Sequence, residues 1–136
     1  MKKIAIILLV LFTHWAFAAT YIGTDSNWFN PNNWDTGMLP DATTDIVLNG
    51  NSQVLIDPAL SPTGPVMVHN IALNNSAVLT LMDGSVFQYN QLDVNDTALL
   101  DAHSSQMSGD QLQLNTNTAA AGSFGIFFNP TTNDTR

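Results

Sequence analysis

Apolar and polar residues alternate in four segments that align without internal gaps: IVLNGNSQVLI from Ile46, IALNNSAVLTL from Ile71, LDVNDTALLDA from Leu92 and LQLNTNTAAAG from Leu112. Successive copies are offset by 25, 21 and 20 residues. Each reads apolar-x-apolar-Asn, then a polar turn, then an apolar-x-apolar pair. Alternation with a period of two means a strand with one inward face. The expected inward positions are Ile46, Leu48, Val54 and Ile56, then Ile71, Leu73, Leu79 and Leu81, then Leu92, Val94 and Leu100. A third short strand is expected at Val86, Met107 and Phe127, at matching offsets. The last copy decays, with Ala120 and Gly122 standing where earlier copies carry leucine.

One such unit cannot bury its apolar face alone, but stacked units can, at a strand spacing of about 4.8 Å. The pattern therefore predicts an all-β chain folded as a parallel β-solenoid of about three to four rungs. An antiparallel β-sandwich, also built of short strands and frequent turns, is the alternative. Asn49, Asn74, Asn95 and Asn115 recur at one place in the repeat. Asparagine tolerates left-handed turn geometry, and stacked amides can hydrogen-bond from rung to rung. Residues 57–65, with three prolines, lengthen the first rung as an exposed loop. Expected boundaries are a signal peptide at 1–18, a capping segment at 19–45, rungs at 46–129 and a tail at 130–136.

The start changes the picture of location. Lys2 and Lys3, an apolar run at residues 4–12 and the sequence Ala16-Phe17-Ala18 read as a secretory signal cut after Ala18. Beyond it Arg136 is the only Lys or Arg, against eleven acids that are all Asp, a side-chain charge of about −10. Such a chain has no electrostatic route to nucleic acid and is repelled by anionic lipid. With no cysteine it has neither disulfides nor thiolate metal sites. Secretion without disulfides points to the surface or surroundings of a bacterium. The scarcity of Glu, Lys and Arg predicts almost no helix after residue 20.

The stretch SNWFNPNNWDTGMLP (residues 26–40) stands just before the first copy. Its order of Asn27-Trp28, Asn32-Asn33-Trp34, Gly37 and Pro40, followed by Asp45 and Val47, resembles the opening of secreted bacterial right-handed parallel β-helix proteins, including autotransporter-passenger-like and other large surface proteins. The resemblance covers about residues 21–81. It implies an architecture, a W…NW…G…P segment ahead of the first rung of a β-helix, and carries no expectation about activity. It also implies many more rungs and a terminal barrel or anchor, where this sequence ends in NPTTNDTR. A truncated copy, a gene fragment and a short stand-alone stack are the readings of that ending.

Candidate chemistry is sparse. At the repeat offsets no column holds Asp in two adjacent copies, which avoids like-charge stacking and does not make a paired-carboxylate site. His69 and His103 read as surface histidines, with Asp57 two rungs from His103 in its column. No catalytic residue and no resident cofactor is expected. Calcium is the one metal considered, at Asp41 with Asp45 or Asp93 with Asp96. The leading expectation is a non-catalytic structural segment meeting a polysaccharide or a host or cell surface, with no membrane insertion of the mature chain. The alternative is a carbohydrate-binding module or the remnant of a polysaccharide-active β-helix. That reading needs an exposed aromatic row drawn from Trp28, Phe29, Trp34, Phe87 and Tyr89, with Trp28, Phe29 and Trp34 as candidate sugar contacts. Otherwise Trp34 caps the first rung over Ile46 or Leu48, with Trp28 partly exposed.

Overall fold

The computed structural model describes residues 17–60 and 64–115. Its strands are β1 (Phe17–Thr20), β2 (Thr44–Leu48), β3 (Gln53–Ile56), β4 (Val66–Met67), β5 (Asn70–Leu73), β6 (Val78–Leu81), β7 (Val86–Asn95), β8 (Leu99–Ala102) and β9 (Gln106–Asn115). The only helical element among the described residues is a 3-10 turn at Pro31–Asn33. Every strand-to-strand ladder among them is parallel, and the molecule is a β-solenoid of about three turns. The sandwich alternative is excluded, because its strands would pair antiparallel.

The ladders run in the register that the repeat requires. Ile46 stands on Ile71, Ile71 on Leu92 and Leu92 on Leu112. On a second face Val54 stands on Leu79 and Leu79 on Leu100. All eleven inward positions expected in the first three copies are at most 2 % exposed. Full burial of such a side chain is worth roughly 1.5–3 kcal/mol, so these columns supply most of the drive to fold. In the last copy Leu112 is half-buried and Leu114 is exposed. Ala120, Gly122 and Phe127 lie outside the described residues, as do residues 1–16 and the tail at 130–136.

A third face is built from β4, the start of β7 and the start of β9, and here the register departs from expectation. Phe87, not Val86, stands between Val66 and Met107 and is fully buried. Leu81 pairs with Ala102, yet Val86 pairs with Gln106. The upper connection is thus one residue longer than the lower, and a slip of one residue exchanges the two faces of a strand. The extra residue is absorbed where Gly84 takes a left-handed φ of +80°. Ser85 then turns inward, its hydroxyl donating to the Ile56 carbonyl at 2.9 Å.

The turn asparagines act differently from one another. The Asn95 amide donates to Asn74 Oδ1 at 2.8 Å and the Asn115 amide to Asn95 Oδ1 at 3.0 Å, a ladder running along the stack. Asn49 accepts from Asn75 instead, at 2.7 Å. The left-handed residue is the one after the ladder asparagine: Gly50, Asn75 and Asp96, at φ +63°, +56° and +57°. Glycine, asparagine and aspartate are the residues that bear this conformation at least cost.

The N-terminal segment is more regular than a loop cap. β1 pairs with β2, placing Ala19 on Ile46, and Tyr21 extends the ladder through its N–H to the Val47 carbonyl. On the second face Asn27 bridges to Leu55 in parallel, which sets Trp28 in the Ile56 column. Residues 17–28 are therefore a rung in their own right on two faces. The lid lies above them. Residues 33–35 run antiparallel to residues 20–22, with the Ile22 N–H donating to the Asn33 carbonyl and the Asp35 N–H to the Thr20 carbonyl. The Asp35 carboxylate accepts the Thr20 N–H at 2.9 Å.

Candidate functional site

Trp28 and Trp34 are each 1 % exposed. Trp34 stands edge-on to Tyr21 and to Trp28, at centroid distances of 5.4 and 4.8 Å, and its indole N–H donates to the Trp28 carbonyl at 3.0 Å. Trp28 in turn meets Phe87 edge-on at 6.1 Å. The expectation of a partly exposed Trp28 is corrected by the Asn27–Leu55 bridge, which points the next side chain into the core. The expected aromatic row does not form. Trp28, Trp34 and Phe87 are buried, while Phe29 and Tyr89 are half-buried against the core. A sugar would have to open the core to stack on either tryptophan.

The asparagines between the tryptophans hold the lid in shape. The Asp25 carboxylate accepts the Asn27 N–H at 3.0 Å, the Asn30 amide at 2.8 Å and the Asn33 amide. Asn33 also donates to the Asn27 carbonyl at 2.8 Å, and Asn30 Oδ1 accepts the Asn32 N–H at the 3-10 turn. These donors, the Asn27 N–H first, hold the Asp25 carboxyl below its ordinary range. Gly23 is required here because a Cβ would overlap the Asn33 side chain.

A cleft of about 390 Å³ opens beside this lid, on the third face. Trp28 and Phe29 form one wall, residues 39–42 a second, and Leu60 with residues 64–67 a third. Leu39, Leu60 and Met67 are exposed along its rim. The lining is apolar except for Asp41, whose carboxylate is engaged in its own turn by the Thr43 hydroxyl and N–H and the Thr44 hydroxyl. Those bonds, the Thr43 hydroxyl first, hold the Asp41 carboxyl below its ordinary range. Of the candidate sugar contacts, Trp28 and Phe29 thus reach the cleft and Trp34 is not among its lining. Sequence reasoning missed Leu39, Pro40, Leu60 and Met67, because lone apolar residues in Pro-rich loops, or in a two-residue strand beside one, carry no periodic signal.

The carboxylates weighed for calcium are not gathered. Asp45 binds the His69 ring at 2.8 Å and the Asn70 amide at 2.9 Å, Asp93 binds Gln91, and Asp96 accepts the Asn75 N–H at 3.2 Å. Among the described residues no group of three or more His and Asp side chains could hold a metal ion. His103 keeps its column beneath Met82, but its ring meets Asp101, two residues away, at 3.1 Å. Both His–Asp pairs are largely solvated, where such contacts contribute about 0–1 kcal/mol. The Asp45–Asn70 contact was legible as two positions sharing a column at the first offset. Set against family models, curated proteins and solved structures, the chain matches none.

Proposed function

We propose that this chain is a secreted, non-catalytic structural segment of a bacterial surface protein, adhesin-like in kind. The observation that carries the reading is the end-to-end continuity of the stack. Its rungs pair in parallel on three faces, with one residue of slip absorbed at Gly84, its outward columns are polar or mixed, and residues 33–35 cover its first face at the N-terminal side. Outward positions on the first face run Asp45–Asn70–Gln91–Gln111 and Val47–Ala72–Asp93–Gln113, a mostly polar surface continuous across four strands. The opening motif and the Ala16-Phe17-Ala18 site support export to the cell surface. The test is expression of the full chain in a secreting bacterium, with fractionation, N-terminal sequencing and a polysaccharide panel read for binding and for reducing ends. Export with Ala19 at the mature terminus, which removes Phe17 and Ala18 from β1 and keeps the pairing of Ala19 and Thr20 with Ile46 and Val47, is expected, with no reducing-end release. Retention with Met1 intact, or release of reducing ends, overturns the reading.

A second reading, a carbohydrate-binding module, is favoured by one observation: Phe29 lines the apolar cleft with Asp41 at its edge. Phe29→Ala would then abolish retention on a polysaccharide column, with a melting curve verifying that the variant, which loses a half-buried ring, is still folded. Unchanged retention excludes the cleft as the binding site.

A further inference from the structure

Three turns occupy one position in successive rungs: Asn49-Gly50, Asn74-Asn75 and Asn95-Asp96. Each could in principle cyclise, the backbone nitrogen after the asparagine attacking the side-chain carbonyl carbon. The structure treats the three nitrogens differently. The Asn75 N–H donates to the Asp96 carboxylate at 3.2 Å, and the Asp96 N–H donates to the Asn115 carbonyl at 3.2 Å. The Gly50 N–H has no hydrogen-bond partner among the described residues. The residue below it is Asn75, not an aspartate, and the Asn75 amide points its NH2 at Asn49 Oδ1, at 2.7 Å. One side chain thus leaves the nucleophile unengaged and polarises the carbonyl to be attacked. Asn49 and Gly50 are both exposed, and glycine puts no side chain in the path of ring closure.

We propose that Asn49 is a self-modification site, converting through a cyclic imide to aspartate and isoaspartate with Asn75 as its positioning residue. The Gly50 nitrogen loses its proton and bonds to Asn49 Cγ. The bond from Cγ to the amide nitrogen breaks, and ammonia leaves carrying that proton. Water then opens the ring. Cleavage of the new Cγ–N bond gives an ordinary aspartate in place of the asparagine. Cleavage of the original peptide C–N bond leaves the chain running through the side chain, as isoaspartate. The isoaspartate adds a methylene to the main chain between β2 and β3. It also converts the Asn49 carbonyl, which accepts the Ser52 N–H at 3.2 Å and the Ser52 hydroxyl at 2.6 Å, into a pendant carboxylate. The modification therefore loosens the turn that joins two faces of the first rung.

The test is incubation of the folded full chain in mildly alkaline buffer, with peptide mapping by mass spectrometry and enzymatic detection of isoaspartate at each turn. Asn49 should convert at least about tenfold faster than Asn74 or Asn95, roughly the rate equivalent of one hydrogen bond that need not be broken. Asn75→Asp supplies the acceptor that Asp96 supplies one rung below and removes the donor, so it should slow conversion at Asn49. Asn75→Gly removes the donor without adding charge and should also slow it, with melting curves verifying that both variants are folded. Equal conversion at the three turns, or a rate at Asn49 that neither variant changes, overturns the proposal.

Discussion

Trp34→Ala tests the lid. The ring is 1 % exposed, packs edge-on against two aromatic neighbours, and its N–H satisfies the Trp28 carbonyl. Truncating a buried Trp to Ala costs about 3–5 kcal/mol, made up of lost transfer energy and the cavity left behind. Each aromatic pair is worth about 0.5–1.5 kcal/mol beyond area, and the orphaned Trp28 carbonyl about 1–3 kcal/mol, terms that overlap the first and do not simply add. A loss of about 4 kcal/mol is about a quarter or more of the roughly 5–15 kcal/mol that holds a small domain together. At roughly 4–8 °C per kcal/mol for a domain of this size, the melt should fall by tens of degrees. Urea unfolding followed by far-UV circular dichroism measures the loss, with Trp28 emission as a second probe. Trp34→Phe should retain much of the packing and lose the hydrogen bond, and so fall between. A loss below about 1 kcal/mol for Trp34→Ala would refute the lid, because no collapse of neighbours recovers so large a void.

Three further outcomes are expected. Leu73→Asp, placing an unpaired charge in the core, should unfold the chain, whereas Ala72→Asp on the outward side of the same strand should cost far less, its penalty limited to solvated repulsion from Asp93 in the same column. Gly109→Ala should cost about 1–3 kcal/mol in chemical denaturation, since its Cβ would overlap the Tyr89 ring, and the cost should disappear in a Tyr89→Ala background. In acid the Asp25 and Asp41 carboxyls, both held below their ordinary range, contribute fully above the unfolded value of about 3.9. Their contribution is lost as pH falls from there through the lower folded values, so the melt of Asp25→Asn should vary less steeply with pH below 4 than that of the wild type.

The parts of the fold legible in the sequence are those with a period. Ile71, Leu73, Leu79 and Leu81 announce their face because each alternates with a polar or small neighbour, and the solenoid spaces their copies 25 and 21 residues apart. Phe87 was misplaced because its register depends on the length of one turn, which carries no alternation. The N-terminal rung escaped for a related reason. Ala19, Tyr21 and Trp28 fill the columns of Ile46, Leu48 and Ile56, but small and aromatic residues do not look like the aliphatic copies below them. The cleft was invisible because loops distant along the chain assemble it.

The antiparallel contact of residues 33–35 with residues 20–22 has a consequence for length. A parallel stack grows only by adding a strand of the same direction in the same register. A reversed strand ends that series, so among the described residues the first face at the N-terminal side offers no parallel edge on which another copy of the molecule could continue the stack. Extension is then an operation on the interior. Duplicating the 21-residue period that separates β5 from the second half of β7, and β6 from β8, should lengthen the rod by one spacing, about 4.8 Å, and leave the lid untouched. Elongation of this kind is available to gene duplication as readily as to design, with one terminator serving a rod of any number of rungs.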